Sequence, residues 1–260
     1  MKKTKHIIAG NWKMNPDNLE EARAIFSGIK RAAEKTQNTH VVICPPFMFL
    51  SLLAKNQTPK LTVGAQDIFH EVSGPYTGEI SPVMVKNSGA THVIIGHSER
   101  RVLGDTNEVV NKKILAAVRE DLNVIFCVGE EKRDSEGSYL EFIKQEIIQG
   151  LAKVQKKFLF NLTIAYEPIW EIGKNDRNVM AGKDIHEMAI YLKKILGDLY
   201  DPVSAEKVPI LYGGSASSFN AEDIVKDGHV NGLLVGRQSL RPEEFGEILR
   251  IVDAIKSPAA

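Results

Sequence analysis

The chain has 260 residues, of which 43% are hydrophobic and 25% are charged, proportions that are ordinary for a soluble globular protein. Its 33 Lys and Arg residues balance its 33 Asp and Glu residues, so it has no bulk basic field to attract nucleic acid or an anionic membrane surface. Its apolar runs also fall well short of the roughly 18 residues that a membrane span requires. We therefore expect neither a nucleic-acid partner nor a membrane-bound protein.

The start of the chain and its cysteines indicate a cytoplasmic protein. The basic cluster at residues 2–5 resembles the first part of a signal peptide, but Asn11 and Lys13 interrupt the apolar run behind it. Cys44 and Cys127 are far apart, and each lies in a strand-like run. Buried, reduced thiols are expected at such positions, which is typical of the cytosol.

Eight short apolar runs recur along the chain, and most of them are continuous rather than alternating. Such continuity is typical of parallel strands that are covered on both faces. The runs are His6–Ala9, Val41–Cys44, Leu61–Ala65, His92–Ile95, Val124–Val128, Leu162–Tyr166, Val208–Tyr212 and Gly232–Val235.

Longer segments with helical periodicity separate these strands. The clearest are Leu19–Ala33, Asn107–Arg119, Tyr139–Val154, Ile185–Leu196 and Pro242–Ile255. Strands that alternate with helices form βαβ units, and eight such units build either a closed barrel or a long open sheet.

The positions of the polar side chains favour the barrel. They follow the carboxyl ends of different predicted strands: Asn11, Gln66, His97, Glu167, Gly213–Ser215 and Gly236. A closed barrel gathers all these ends around one mouth, whereas an open sheet uses a single crevice. A barrel of eight strand–helix units needs about 250 residues. We therefore predict an α/β fold, a closed barrel of eight parallel strands surrounded by helices, as a single domain over residues 1–260.

Asn11 and Lys13 flank Trp12 at the end of the first strand. Positions i and i+2 of a strand share a face, so both polar side chains can enter the barrel mouth. Lys13 would then supply a positive charge for an anionic substrate. The alternative is a strand end that simply meets water.

His97 follows the fourth strand directly after Gly96, and Ser98 and Glu99 resemble the start of a helical turn. The positive end of a helix dipole disfavours a second proton on the imidazole. A neutral His97 could donate a hydrogen bond to a substrate carbonyl. The alternative is a structural histidine, which is how we interpret His92 inside the strand.

Glu167 ends the sixth strand, and Pro168 prevents that strand from continuing as a central one. A carboxylate that loses solvation there becomes a stronger base. The alternative is a structural carboxylate held by a neighbouring cation. The residues at 174–181 lack periodicity and are predicted to form a mobile lid.

Glycine turns follow the last two strands, at Gly213-Gly214-Ser215 and at Gly236-Arg237. Glycine lets backbone N–H groups approach an anion, and a helix start adds its dipole. Either turn alone would be weak support for a binding site. Together, at the strand ends where such barrels usually hold phosphate, they predict a phosphate site.

These motifs occur in the order found in one enzyme family. The chain resembles the triosephosphate isomerase family from Ala9 to Leu240, most closely at Asn11-Trp12-Lys13, Gly64-Ala65-Gln66, Tyr76-Thr77-Gly78-Glu79-Ile80-Ser81, Gly96-His97-Ser98-Glu99-Arg100, Tyr166-Glu167-Pro168-Ile169-Trp170 and Tyr212-Gly213-Gly214-Ser215. The pattern of a Glu base, a neutral His and a closing loop is a known description of this family. The resemblance implies the TIM-barrel fold and an aldose–ketose isomerase.

The resemblance also implies substrates and residue roles. Dihydroxyacetone phosphate and glyceraldehyde 3-phosphate would interconvert through an enediolate, with no metal or organic cofactor. Glu167 would move the carbon-bound proton, and His97 would polarise the carbonyl. Lys13 and Asn11 would stabilise negative charge, and Glu99 matches a family active-site position. The resemblance places substrate-binding residues at Asn11, Trp12, Lys13, Gly173, Ser215, Gly236 and Arg237.

A homodimer is a further implication of the resemblance. The loop from His70 to Ser81 carries Val72, Pro75 and Tyr76, which a short connector does not need. The resemblance implies that this loop docks beside the partner's active site, with Thr77 near Lys13.

The chain departs from the family at two places. The lid usually continues Ile-Gly-Thr-Gly-Lys-Thr-Ala, whereas this chain has Lys174-Asn175-Asp176-Arg177-Asn178 after Gly173. Arg237 stands where the family commonly has a second glycine. Two other functions stay open: an isomerase of another phosphorylated sugar, and a barrel that binds phosphate without catalysis. The second would have no use for the combination of Glu167, His97 and Lys13.

Overall fold

The computed structural model describes residues 6–171 and 179–255. Eight parallel strands pair in sequence order, and β1 pairs with β8 to close the barrel. The fold predicted from the alternation of strands and helices is therefore confirmed. The strands are β1 His6–Asn11, β2 Thr39–Cys44, β3 Leu61–Ala65, β4 His92–Ile95, β5 Asn123–Val128, β6 Leu162–Tyr166, β7 Ile210–Tyr212 and β8 Gly232–Val235.

The helices surround the barrel. Within the described residues they are α1 Leu19–Ala33, α2 Phe47–Ala54, α3 Pro82–Asn87, α4 Ser98–Val102, α5 Asn107–Arg119, α6 Ser138–Gly150, α7 Gly182–Leu199, α8 Pro202–Glu206, α9 Ala221–Lys226 and α10 Pro242–Ala254. Helices α2, α3, α8 and α9 lie outside the five segments that we singled out by periodicity. Each spans only five to eight residues, too few to repeat an apolar position over several turns.

Alternation along the strands divides the core into two parts. One set of side chains fills the inside of the barrel: Ala9, Val42, Cys44, Ile94, Ile125, Cys127, Ala165, Leu211 and Leu234. The intervening residues, such as Ile8 and Ile43, face outward and pack beneath the helices. Side chains therefore fill the barrel, and reactive groups have room only at its ends.

Helix α1 shows how sequence dictates these outer elements. The Asn18 side chain accepts a hydrogen bond from the Glu21 N–H at 2.9 Å and so caps the helix. Ala22, Ile25 and Phe26 are buried at helical spacing. Full burial of a side chain as large as Phe26 contributes about 1.5–3 kcal/mol.

No helix among the described residues is long and apolar enough to cross a membrane. Both cysteines lie inside the barrel as free thiols, as the sequence predicts. Burial raises the pKa of Cys44 to about 12, so this thiol stays protonated at neutral pH.

Candidate active site

His97 is placed at the barrel mouth by a sharp turn after β4. Gly96 has a φ of 78°, a conformation that a side chain would strain, and it lets the chain turn directly into α4. His97 is the N-cap of α4, and its Nδ1 accepts a hydrogen bond from the Glu99 N–H at 3.1 Å. In the neutral ring the proton therefore lies on Nε2, which is free to donate. This confirms the short helix predicted after His97.

Glu167 lies opposite His97 and is only 2% exposed. Its Oε1 is 3.4 Å from His97 Nε2, and its Oε2 accepts a hydrogen bond from the Ser98 N–H at 3.2 Å. The start of α4 thus holds both side chains. The Ser98 N–H thereby fixes the orientation of the Glu167 carboxylate beside the imidazole.

The floor beneath Glu167 is the inner face of β5. The Cys127 thiol lies against the carboxylate, and burial together with the charge of Glu167 raises the pKa of this thiol well above its usual value. A protonated thiol adds no charge that would compete with Glu167. Beside it, the Glu167 N–H donates to the Val128 carbonyl at 2.8 Å, which fixes the backbone of the base.

Lys13 has an unusual backbone conformation at the end of β1. Its φ is 54°, a left-handed value that costs a residue with a side chain about 1–3 kcal/mol. Two hydrogen bonds hold it there: its N–H donates to Asn11 Oδ1 at 3.0 Å, and its carbonyl accepts from Gln66 Nε2 at 2.8 Å. Strain maintained by surrounding contacts is typical of functional sites.

The ammonium group of Lys13 points into the mouth. Nζ lies 2.5 Å from Glu99 Oε1, and the two side chains are 30% and 55% exposed. A Cβ added at Gly236 would lie 3.6 Å from Lys13 Cε, so the loop after β8 reaches the same cation. Asn11, Lys13, Glu99 and Gly236 therefore come together as the sequence predicts.

The side chain of Trp12 lies apart from those of Asn11 and Lys13, and its role in substrate binding stays a prediction. Its indole is fully buried in the core between barrel and helices, so this side chain does not face the mouth. The reason is strand alternation, which turns Trp12 away from the face shared by Asn11 and Lys13.

The residues predicted to hold phosphate follow β7 and β8. Ser215 Oγ donates to the Glu171 carbonyl at 2.9 Å, and the Glu171 side chain is hydrogen-bonded to the Tyr212 hydroxyl. Gly236 precedes the short 3-10 segment Arg237–Leu240. Gly173 and residues 174–178 of the predicted lid lie outside the described residues.

Arg237 is exposed, and no described residue accepts a hydrogen bond from its side chain. Among the described residues, those with a side chain and positive φ are Lys13, Asp121, Lys153 and His229. Arg237 therefore has an ordinary backbone conformation, which a residue with a side chain adopts without strain.

Sequence reasoning missed Glu130, which follows β5 and is 1% exposed. Its Oε1 accepts hydrogen bonds from the Tyr166 hydroxyl at 2.9 Å, from Trp170 Nε1 at 3.0 Å and from Arg133 Nε at 2.8 Å. It therefore fixes the chain on both sides of Glu167. The sequence pattern that could have identified Glu130 is an apolar strand followed by a glycine and then a polar side chain. The same pattern identified His97 after β4.

Across residues 6–171 and 179–255, no group of three or more His, Cys, Asp and Glu residues is arranged to hold a metal ion.

Comparison with known proteins agrees with this geometry. The family model described as triosephosphate isomerase matches residues 6–252. A triosephosphate isomerase from Dictyoglomus thermophilum is 40% identical over 249 residues, which cover 94% of this chain and 98% of that protein. One from Dehalococcoides mccartyi is 39% identical over 259 residues, covering 96% and 98%. The chain therefore belongs to the triosephosphate isomerase family.

Proposed function

We propose that this protein is a triosephosphate isomerase that interconverts dihydroxyacetone phosphate and glyceraldehyde 3-phosphate. The observation that carries the proposal is the pairing of Glu167 with the Nε2 of His97 at 3.4 Å, in a mouth that also holds Lys13. A buried carboxylate and a neutral imidazole donor are what a proton transfer next to a carbonyl requires. Family membership supports the same activity.

In the proposed reaction Glu167 removes a proton from the carbon beside the substrate carbonyl. The electron pair of that C–H bond forms the carbon–carbon double bond of an enediolate, and the carbonyl oxygen gains negative charge. His97 Nε2–H donates a hydrogen bond to this oxygen, and Lys13 adds a positive charge. His97 then protonates this oxygen from Nε2 and takes the hydroxyl proton from the oxygen on the carbon that Glu167 deprotonated. As that oxygen forms the new carbonyl, the electron pair of the carbon–carbon double bond takes the proton back from Glu167 at the former carbonyl carbon, which completes the isomerisation. These transfers use protein side chains alone.

The substrate's phosphate would lie between the loops after β7 and β8. Ser215 and Gly236 provide backbone N–H groups there, and Gly236 approaches Lys13. The Lys13 charge would thus face both the phosphate and the reacting oxygen. Glu99, paired with Lys13 at 2.5 Å, positions that cation.

We further propose a homodimer formed through the loop between His70 and Ser81. Every residue from 71 to 79 is exposed, including Val72 and Tyr76. Other exposed large apolar side chains follow β1, β2 and β4, which belong to the same half of the barrel as β3: Met14, Met48, Val102 and Leu103. Apolar residues grouped in this way are typical of an interface with another protein chain.

The buried free thiols support a cytoplasmic location. An isomerase of another phosphorylated sugar and a barrel that only binds phosphate are the alternatives. The second does not account for a carboxylate and an imidazole held 3.4 Å apart.

A panel of substrates tests the proposal. Wild-type protein should turn over dihydroxyacetone phosphate in a coupled assay, with kcat/KM at least about 100-fold above that for fructose 6-phosphate or for unphosphorylated dihydroxyacetone. A preference for the larger sugar would support the other isomerase. Phosphate binding without turnover of any member would identify the non-catalytic barrel.

A further inference from the structure

Helix α6 buries a carboxylate at a position where its neighbours are apolar. Glu146 is 2% exposed and lies on the same face as Ile143, Ile147 and Gly150. A buried charge costs several kcal/mol unless it is well partnered, and an apolar side chain would avoid that cost.

The two carboxylate oxygens contact two different elements of the site. Oε2 accepts a hydrogen bond from the Gly129 N–H at 2.8 Å. Oε1 lies 3.2 Å from Nε of Arg101, and the same Nε donates to the Gly96 carbonyl at 2.9 Å. Arg101 is fixed further by Asn107, whose Oδ1 accepts from Nη1 at 2.7 Å.

Two of these contacts are made with residues that adjoin His97 or Glu167, the two residues proposed to react. Gly96 is the residue before His97, so the Arg101 hydrogen bond fixes the turn that places the imidazole. Gly129 packs against the backbone of Glu167: a Cβ at Gly129 would lie 1.8 Å from the Glu167 carbonyl oxygen. Glu146 thus connects, through Arg101 and Gly129, to both members of the His97–Glu167 pair.

We infer that Glu146 is a positioning residue, which holds the ends of β4 and β5 in the register that sets the distance between His97 and Glu167. It touches neither reacting side chain. The inference rests on the proposed function, because that distance has a role only if the pair acts on a substrate. A displacement of 1 Å in such a pair can cost about 100-fold in rate.

The charges around Glu146 make its effect dependent on pH. Burial raises the pKa of Glu146 to about 7; the Arg101 guanidinium and the Gly129 N–H act against this rise, and the Glu167 and Glu130 carboxylates reinforce it. The Cys127 thiol is the other titratable group nearby, and it stays protonated. Below neutral pH the Glu146 carboxyl therefore gains a proton and loses its ion pair with Arg101.

An open cavity of about 540 Å³ lies beside this network and gives water a route to it. Its wall includes the network residues Arg101, Gly129 and Glu146 and also the site residues Ser98 and Ile169. Two further charged residues line it, Glu99 and Glu131. Protons can thus reach Glu146 from solvent while the protein stays folded.

The test compares Glu146→Gln and Glu146→Leu with a matched control, Glu141→Gln. Glu141 lies on the same helix but its side chain is 61% exposed, and its carboxylate pairs with Gln145 and Lys144 on that helix. Glutamine keeps an acceptor for the Gly129 N–H but loses the charge opposite Arg101; leucine loses both. We expect kcat for dihydroxyacetone phosphate at pH 8.5 to fall about threefold to tenfold in Glu146→Gln and further in Glu146→Leu, with KM within about twofold.

The pH profile separates positioning from mere stabilisation. The ratio of wild-type kcat to that of Glu146→Gln should shrink towards one as pH falls from 8.5 to 5.5, because the wild-type residue then also becomes neutral. A constant ratio, or variants as active as Glu141→Gln at every pH, would overturn the inference. Glutamine matches glutamate in shape, so this variant decides the question if Glu146→Leu does not fold.

Backbone amide chemical shifts test the positioning role without measuring turnover, so they separate this inference from the proposed isomerase activity. Backbone amide chemical shifts of His97, Ser98 and Glu167 should change more in Glu146→Gln than in Glu141→Gln. An inactive wild-type protein would refute the isomerase proposal alone, whereas unchanged amide shifts would refute the positioning role.

Discussion

Nε2 of His97 lies 3.4 Å from Oε1 of Glu167, although the two residues follow β4 and β6, which are not neighbours in the barrel. The intervening strand, β5, contributes small groups beneath Glu167, the Cys127 thiol and the backbone of Gly129, and so leaves room for this approach. The Ser98 N–H then holds the carboxylate from the side of β4. The pair is therefore fixed by three consecutive strand ends.

The hydrogen bond from the Glu99 N–H to His97 Nδ1 specifies one tautomer of the ring. We expect ¹⁵N NMR at pH 7.5 to show the shift pattern of a neutral His97 that carries its proton on Nε2. A pattern with the proton on Nδ1, or one of a cationic ring, would contradict both this geometry and the role of His97 as a donor to the substrate.

His92 should make the protein sensitive to acid. Burial, and secondarily the nearby His40, lowers the pKa of His92 to about 3, whereas the unfolded residue has a pKa near 6.5. Between these values the unfolded state binds the extra proton, so the free energy of unfolding falls as pH falls through this window. Above about pH 6.5 His92 is neutral in both the folded and the unfolded state, so its titration no longer lowers the free energy of unfolding.

Replacing His92 with Gln isolates this effect. The free energy of unfolding can be measured with urea between pH 4 and 6. Its slope against pH should be smaller in the variant by roughly 1.4 kcal/mol per pH unit, which corresponds to about one proton. Equal slopes for the variant and the wild-type protein would show that His92 titrates alike in the folded and unfolded states.

Arg237 stands at the proposed phosphate site but is exposed and has an ordinary backbone. Because Lys13 already supplies a positive charge there, we expect Arg237→Gly to change KM for dihydroxyacetone phosphate by less than about threefold, under about 0.7 kcal/mol. A rise of about tenfold or more with the fold intact would identify the guanidinium as a phosphate ligand.

The homodimer prediction has a matched control on the protein surface. Val72, in the loop between His70 and Ser81, is 54% exposed, and Val203, at α8, is 68% exposed. Val72→Glu should shift sedimentation from dimer to monomer and lower activity, because a charge buried in an interface is costly. Val203→Glu should leave the dimer intact. A fully active wild-type monomer at assay concentration would remove the prediction.

Sequence reasoning was strongest where a local pattern determines the structure. β3, β4, β6 and β8 have the predicted boundaries, because each is an apolar run bounded by a turn or a polar residue. His97 and Glu167 were identified because each ends such a run abruptly. Parallel strands bring their carboxyl ends together, so a single rule placed both residues at one mouth.

The sequence was weaker where the structure depends on contacts between distant segments. Glu146 lies on a predicted helix, but its pairing with Arg101 joins residues that are 45 positions apart and could not be read from periodicity. Gln66 fixes the strained backbone of Lys13 from two strands away. The burial of the Trp12 side chain, by contrast, follows from a local rule, because alternation along β1 turns it away from Asn11 and Lys13 and into the core.

The central claim is that Glu167 is the base that transfers the carbon-bound proton. The most direct measurement is kcat for dihydroxyacetone phosphate in Glu167→Gln, with Glu141→Gln as the control for loss of a carboxylate elsewhere. General-base catalysis contributes about 10²–10⁴-fold, so kcat should fall by that factor while the fold and phosphate binding persist. Turnover near the wild-type rate in Glu167→Gln would contradict the assignment.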